Sequence, residues 1–180
     1  MERRRFLKTT GAIATGSLAT LAGCSGGGNG GDDNATPTSN PTETNTIQMV
    51  TGNGDYYFDP IGLFVEPGET VTWEIKSGAH SSTAYKEGNG PATVTRIPKD
   101  AKAWNSGTLS EAGATFEHTF EVKGTYDYFC IPHKSLGMVG RIVVGEPGGP
   151  AEGSMPPDGK VPQSDAIVQQ GAVSYESFSG

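Results

Sequence analysis

The sequence is poor in the residues that disulfide-stabilised and metal-rich proteins use, with two cysteines and three histidines in 180 residues. Two cysteines cannot build a disulfide framework, and so few Cys and His residues exclude an array of zinc fingers. Apolar runs are short, and none approaches the roughly 20 residues that a membrane-spanning helix needs. Positive charge is scarce, because 13 Lys and Arg stand against 20 Asp and Glu. The net charge of -7 argues against a protein that binds nucleic acid through phosphate contacts.

Glycine and proline are abundant, with 27 and 12 residues, and they show no collagen-like period. This composition indicates one modest folded domain with irregular sequence around it. Residues 25–45 contain no large apolar side chain, so we expect a flexible tether there. Residues 147–180 form a second Gly- and Pro-rich stretch, and the sequence leaves open whether this tail docks on the domain or hangs free. The folded domain is therefore assigned to residues 46–146.

The N-terminus has the charged start, apolar run and small residues that mark an export signal. A twin-arginine signal is indicated by Arg3, Arg4, Phe6, Leu7 and Lys8. The segment Leu21-Ala22-Gly23-Cys24 resembles a lipoprotein box, in which cleavage before the Cys leaves a lipid on its sulfur. We expect loss of residues 1–23, a lipid on Cys24 and a linker over residues 24–45. The alternative is a plain secretory signal with an incidental Cys24.

Loss of such a signal changes the charge of the chain. It would remove four basic groups and one acid, so that the net charge falls from -7 to about -10. A chain this acidic stays soluble by self-repulsion. It also fits a high-salt habitat, where screening makes such repulsion tolerable.

Between residues 46 and 146 the pattern is one of short strands and turns. Val71, Trp73 and Ile75 alternate with polar residues and so share one face of a strand. Residues 116–122 alternate in the same way, which predicts a packed structural role for His118. Many short β-branched and aromatic segments with turns between them predict an all-β sandwich or barrel. Only residues 98–103 favour a short helical turn.

The chemistry-bearing residues lie near the second cysteine. Cys130, His133 and Met138 follow the spacing C-x2-H-x4-M on one loop between two predicted strands, and His80 lies about fifty residues upstream. Two imidazoles, one thiolate and a weak axial thioether form the ligand set of blue copper sites. A site held between the geometries of the two copper oxidation states changes little when one electron moves. The spacing therefore predicts one copper ion and electron transfer.

Several segments together resemble the cupredoxins, specifically the plastocyanin and halocyanin type of small archaeal blue copper proteins. They are Val65-Glu66-Pro67-Gly68, Val71-x-Trp73, His80, Tyr126-x-Tyr128-Phe129-Cys130-x-Pro132-His133 and Gly137-Met138-Val139-Gly140. The resemblance implies a Greek-key β-sandwich of seven or eight strands over residues 46–146. It implies type 1 copper bound by His80, Cys130, His133 and Met138. The residues placed around these ligands are Ala79, Ser81, Phe129, Ile131, Pro132 and Gly137.

The sequence departs from the plastocyanin pattern at three positions around the ligands. Plastocyanins usually carry Asn after the first His ligand and Ser or Thr after the Cys, and these side chains tie the two ligand segments together. Ser81 and Ile131 stand there in this chain, so the reduction potential does not carry over. Plant plastocyanins place a Tyr before the Cys as part of a remote electron path, and this chain has Phe129.

These features predict an electron carrier without substrate turnover. The edge of the His133 ring is the expected exit for electrons. Around it we expect an apolar docking patch formed by Pro132, Leu136 and Gly137, with Gly62 or Leu63 from another loop. The expected setting is the outer face of the membrane of a halophilic archaeon, with membrane-bound redox proteins as transient donor and acceptor and the carrier itself a monomer.

A second hypothesis keeps the same ligands but a different role. The protein would deliver or buffer copper at the cell surface and would exchange the metal readily. A zinc hydrolase needs an open coordination position and a general base, and no His-Glu pair of the metalloprotease kind is present.

Overall fold

The structure is a computed structural model that describes residues 45–179. The expected export signal, the lipid-bearing Cys24 and all but the last residue of the linker predicted over residues 24–45 lie outside the described residues. No helix within residues 45–179 has both the length and the apolar character to cross a membrane.

Two β-sheets make up most of the described chain. A four-stranded sheet has the order β2-β1-β4-β6, and a five-stranded sheet has the order β5-β7-β8-β3-β9. Strands β1 and β4 pair in parallel, as do β3 and β8, and the other pairs are antiparallel. The strands are β1 Thr46–Gly52, β2 Asp55–Asp59, β3 Gly62–Val65, β4 Glu69–Ile75, β5 Thr83–Ala84, β6 Thr115–Phe120, β7 Gly124–Phe129, β8 Val139–Val144 and β9 Ala172–Val173. The prediction of an all-β Greek-key sandwich is confirmed.

The core between the sheets contains the residues that the alternating patterns indicated. Val71, Trp73 and Ile75 of β4 are buried, as the period of two predicts for one face of a strand. They belong to one cluster with Phe120 of β6 and Tyr128 of β7. This cluster also contains Cys130 and Met138, so the candidate metal centre is continuous with the core.

The second face of the five-stranded sheet is covered by the C-terminal part of the chain. Every residue of β7 and β8 is buried, which a strand with one solvent face does not show. Residues 147–163, here called the C-terminal strap, run from β8 to helix α1, which spans Ser164–Gln170. Helix α1 buries Ile167 against β3, and β9 then pairs with β3 at the edge of the sheet. The C-terminal tail therefore docks on the domain.

Two details of the sequence prediction change. The described residues form nine strands instead of seven or eight, because the tail supplies β9 and because β5 is a separate strand of two residues. The helical turn expected at residues 98–103 is wrong as a helix, since that segment has one turn hydrogen bond from the Ala101 amide to the Pro98 carbonyl. The helices that the structure describes are a 3-10 turn at Lys134–Leu136, α1, and α2 at Tyr175–Ser179.

Candidate metal centre

Three donor atoms converge at one end of the sandwich. The Nδ1 atoms of His80 and His133 are 3.2 Å apart. The Sγ atom of Cys130 is 3.6 Å from Nδ1 of His80 and 3.4 Å from Nδ1 of His133. These three residues are the group of potential metal ligands within residues 45–179.

The separations among these atoms match the size of a metal ion. Nitrogen and sulfur ligands bound about 2.0–2.3 Å from a first-row ion, spread evenly in a plane around it, lie roughly 3.5–4 Å from one another. The observed separations of 3.2–3.6 Å are close to that range. Two imidazoles and a thiolate also have the donor chemistry that copper prefers. The residues present therefore fit a copper ion.

His80 is held by backbone contacts and by its second ring nitrogen. It forms an isolated bridge with Leu109, in which each amide donates to the other residue's carbonyl at 2.9 and 2.8 Å. Nε2 donates to the Ser77 carbonyl at 2.9 Å, and the Thr51 hydroxyl lies 3.0 Å from the same nitrogen. A neutral imidazole that donates from Nε2 has a free lone pair on Nδ1, which is the atom that faces Cys130.

The turn that delivers His80 requires glycine. Gly78 has a φ of +85°, a conformation that residues with a side chain rarely adopt. A Cβ at this position would also lie 3.0 Å from Cβ of Thr51. Glycine therefore allows the turn to pass close to Thr51 and to place the His80 ring inside the protein.

Burial favours the uncharged forms of the imidazoles. It lowers the pKa of His80, an effect that the hydrogen bond to Ser77 opposes and the nearby His133 ring reinforces. Burial also lowers the pKa of His133, which is only partly covered. A neutral imidazole is the form that binds a metal ion. Both rings are thus available as ligands near neutral pH.

Burial also raises the pKa of the Cys130 thiol, against the amide of Ser81, which donates to Sγ at 3.3 Å. A thiol that coordinates a metal ion is deprotonated outright. Burial therefore favours the protonated thiol when no cation is bound.

A short loop returns from Cys130 to the next strand. This segment, residues 131–138, is called the ligand loop here. The Cys130 amide donates to the Met138 carbonyl at 3.0 Å, and the Met138 amide donates to the His133 carbonyl at 3.3 Å. Met138 is fully buried beside Cys130, and Gly137, with a φ of 86°, ends the 3-10 turn. The structure thus brings the donor atoms of His80, Cys130 and His133 together and places Met138 next to Cys130 in the core.

Hydrogen bonds of Ser81 connect the segment that carries His80 to the segment that carries Cys130. The Ser81 hydroxyl accepts a hydrogen bond from the Ile131 amide at 2.8 Å, while the Ser81 amide binds Cys130. One serine therefore connects the His80 segment to the Cys130 segment without the Asn and Ser or Thr that plastocyanins use. Ala79, next to His80, is partly buried.

The surface around His133 differs in part from the expected patch. Pro132 and Gly137 are exposed, and Leu136 has 60% of its surface open to solvent. Gly62 and Leu63 are buried within β3, so their expected contribution to the patch is wrong. Helix α1 covers that strand so closely that a Cβ on Gly62 would lie 2.8 Å from Ile167.

Tyr56 of β2 lies at the site and is not among the residues predicted from the sequence. Its ring stacks on the His133 imidazole, with 3.8 Å between ring centroids and an interplanar angle of 16°. Nothing in the local pattern of β2 marks this residue, because the two rings come from distant parts of the chain. Phe129 does not lie at the surface, because it is fully buried against Tyr85, Val139 and Val161.

His118 has the structural role that its strand pattern predicts. It is partly buried in β6, and its ring stacks on Trp104 with 4.8 Å between centroids.

Comparison with known proteins gives consistent matches. The family model described as copper binding proteins, plastocyanin/azurin family, matches residues 45–145. A halocyanin from Natronomonas pharaonis is 33% identical in an alignment 173 positions long, and the match covers 80% of this chain and 98% of that protein. A plastocyanin from Scenedesmus fuscus is 31% identical over 99 residues, which cover 55% of this chain and 97% of that protein. Among solved structures, a pseudoazurin from Methylobacterium extorquens is 20% identical with a TM-score of 0.48, covering 70% of this chain and 94% of that chain.

Proposed function

The chain belongs to the plastocyanin/azurin family of copper-binding proteins, and on this premise we propose that it is a type 1 blue copper protein that carries single electrons. The observation that carries the proposal is the convergence of two Nδ1 atoms and one Sγ atom within 3.6 Å of one another. His80, Cys130, His133 and Met138 would hold the copper, because imidazole, thiolate and thioether are donors that suit it. Copper held there supplies a Cu(II)/Cu(I) couple.

The protein's contribution is to keep these ligands in place and dry. His80, Cys130 and Met138 are fully buried, and the hydrogen bonds of Ser77 and Ser81 fix the His80 ring and the Cys130 sulfur. Ligands that cannot move and water that cannot enter keep the rearrangement on electron transfer small. The buried set therefore suits an electron carrier without substrate turnover.

Electrons would pass through the exposed edge of His133. This ring is only partly covered and lies on the same loop as the exposed Leu136. A small apolar patch of this kind suits brief and weak docking to a redox partner. On the other side, Tyr85 and Val161 cover Phe129, so no second exposed aromatic path is available next to Cys130.

The proposed location of the protein is based on the N-terminal motifs. Export by the twin-arginine pathway through Arg3, Arg4, Phe6, Leu7 and Lys8, followed by lipidation of Cys24, would tether the domain to the outer face of the membrane. The acidic net charge of -7 suits a high-salt host, where screening makes the self-repulsion of the chain tolerable. Membrane-bound redox proteins would be the donor and acceptor, and the protein would act as a monomer. The mass of the mature N-terminus tests the tether, and an unmodified residue other than Cys24 there contradicts it.

The carrier role is tested against copper delivery by comparing two rates on the purified protein. A carrier exchanges electrons between its oxidised and reduced forms quickly and releases copper to a chelator slowly. A delivery or buffering protein shows the opposite order. A redox titration of the same sample shows whether the colour is lost and regained with one electron, as the proposal requires.

A further inference from the structure

The C-terminal strap touches the ligand loop through one carboxylate. Oδ2 of Asp158 lies 2.7 Å from Nζ of Lys134, the residue that follows His133. The hydroxyl of Tyr85 donates to the same oxygen at 2.6 Å. The side chains of Asp158 and Lys134 are only 18% and 19% exposed, so this ion pair is better shielded than a surface pair.

The backbone of the strap packs against the end of the same loop. A Cβ on Gly159 would lie 2.8 Å from Val139 and 2.9 Å from the Gly137 carbonyl oxygen, so only glycine allows this approach. Val161 then packs against Phe129 and Val139. Residues 158–161 therefore form a wall beside the loop that carries His133 and Met138.

The strap is itself anchored to the sheet by a buried ionic network. Asp127 of β7 accepts hydrogen bonds from Arg96 at 2.7 Å and from Arg141 of β8 at 2.8 Å. Both arginines also donate to the Ala151 carbonyl, at 2.8 and 3.0 Å, and Arg141 reaches the Pro162 carbonyl at 3.3 Å. These contacts hold both ends of the strap, so Asp158 is a fixed point and not a mobile surface group.

We propose that Asp158 is a positioning residue for the metal centre, which fixes the ligand loop by holding Lys134 and Tyr85. The inference rests on the proposed copper site and adds to it a role for the strap. The internal support of the loop is local, because one 3-10 turn and short-range backbone hydrogen bonds hold it. An external anchor next to His133 restricts the motion of the loop and keeps two of the proposed ligands in position.

Two substitutions separate this role from a simple effect of charge. Asp158→Asn removes a negative charge and the ion pair, but it keeps an oxygen for the Tyr85 hydroxyl. Lys134→Met removes a positive charge and the same ion pair, and it keeps the apolar stem. Their charge effects on the reduction potential have opposite signs, whereas their effects on the anchoring of the loop have the same sign. Glu146→Gln is the matched control, since it breaks the exposed Lys123–Glu146 pair at 3.6 Å.

The first measurement is amide hydrogen exchange of residues 133–138 in the metal-free protein. We expect both variants to exchange about tenfold faster there, the factor that one lost charge-assisted hydrogen bond gives. The double variant should exchange no faster than either single variant, because all three lack the same contact. Amides of β7 and β8 should stay unchanged in all variants, and Glu146→Gln should match the wild type throughout.

The second measurement is copper release from the loaded protein to a chelator. We expect faster release from both variants and opposite shifts of their reduction potentials. The proposal is overturned if the two variants change release in opposite directions, if the loop exchanges no faster than in Glu146→Gln, or if β7 and β8 loosen as much as the loop. If the wild type binds no copper with visible colour, the proposed function fails, and the metal-free exchange still decides the role of Asp158.

Discussion

At the scale of single residues, Tyr56 defines the surroundings of His133. Its ring lies 3.8 Å from the imidazole and nearly parallel to it, and it also meets His80 edge-on at 6.5 Å. A stacked ring excludes water from one face of the imidazole and prevents it from turning. Tyr56 thus combines two effects, a drier ligand and a fixed ring orientation.

We expect Tyr56→Leu to lower the reduction potential of the copper-loaded protein. Water that reaches the centre favours the oxidised ion because that ion has the higher charge. The expected shift is a few tens of millivolts. A shift of about 60 mV would correspond to a tenfold change in the equilibrium constant of a one-electron couple. Tyr57→Leu is the control, because the Tyr57 ring stacks on Tyr175 at 4.1 Å instead. Equal shifts in both variants, or a rise in Tyr56→Leu, would contradict the role of the stack.

His118 contributes to the pH dependence of the stability of the metal-free protein. Burial lowers the pKa of His118, and the charge of Lys102 acts in the same direction. The acids Asp100 and Glu121 line the same small cavity and do not reverse this shift. A histidine with a lowered folded pKa leaves stability intact above about pH 6.5 and reduces it as the pH falls from there through the folded pKa.

We therefore expect His118→Phe to lose less stability on acidification than the wild type. The measurement is the free energy of unfolding in urea at about pH 7.5 and about pH 5, on metal-free samples. The two candidate imidazole ligands are present in both proteins, so their effects cancel in the comparison. Identical losses in the two proteins would show that the environment of His118 does not disfavour its protonation.

The sequence could predict the residues whose role is indicated by their spacing within one short segment. Cys130, His133 and Met138 share one loop, and their spacing alone indicates a ligand set. Tyr56 was missed because its contact with His133 depends on how β2 lies across the site. The Ser81 tie was missed because its partner is a backbone amide, which no side-chain motif records.

At the scale of elements, the pairing of β7 with β8 determines how Tyr128 packs on Gly140. Tyr128 lies opposite Gly140 in this pair, and its ring covers the glycine. A Cβ on Gly140 would lie 2.8 Å from Cε1 of Tyr128. The Tyr128 ring has little freedom to move, because Phe58 and Trp73 pack against it with ring centroids 4.6 and 5.5 Å away.

Gly140→Ala should therefore destabilise the protein by about 1–3 kcal/mol, the usual cost of forcing an extra methyl group into a packed core. Urea unfolding measures this difference. Gly148→Ala is the control, because a Cβ there would meet nothing within 4 Å. A loss below about 0.5 kcal/mol, the range of a surface substitution, would show that the ring can move aside.

Strand patterns predicted β4 better than β7 and β8. Alternation places Val71, Trp73 and Ile75 in the core because the other face of β4 carries polar residues. In β7 and β8 the charged Asp127 and Arg141 are as buried as their apolar neighbours. Their burial depends on the strap, so alternation within the strands could not show it.

At the scale of the whole molecule, the buried network around Asp127 joins the strap to the sandwich. One carboxylate serves both Arg96 and Arg141, and these arginines bind backbone carbonyls of the strap. The sequence left the tail's position open in part because the groups that bind Arg96 and Arg141 are main-chain carbonyls in a Gly- and Pro-rich stretch. Such acceptors leave no trace in the pattern of side chains.

Asp127→Asn should cost about 3–5 kcal/mol of unfolding free energy, because it leaves two buried arginines without their counter-charge. Urea unfolding of the metal-free protein measures the loss. Glu146→Gln, which breaks an exposed ion pair, should cost less than about 1 kcal/mol. A similarly small loss in Asp127→Asn would mean that the network does not stabilise the docked strap.

A type 1 copper centre at Cys130 is tested by the visible absorption of the purified protein after addition of Cu(II). We expect an intense colour in the wild type, which a reductant removes, and no such colour in Cys130→Ser, since serine offers no thiolate. A wild type that stays colourless, or a colour that survives in Cys130→Ser, would contradict this assignment.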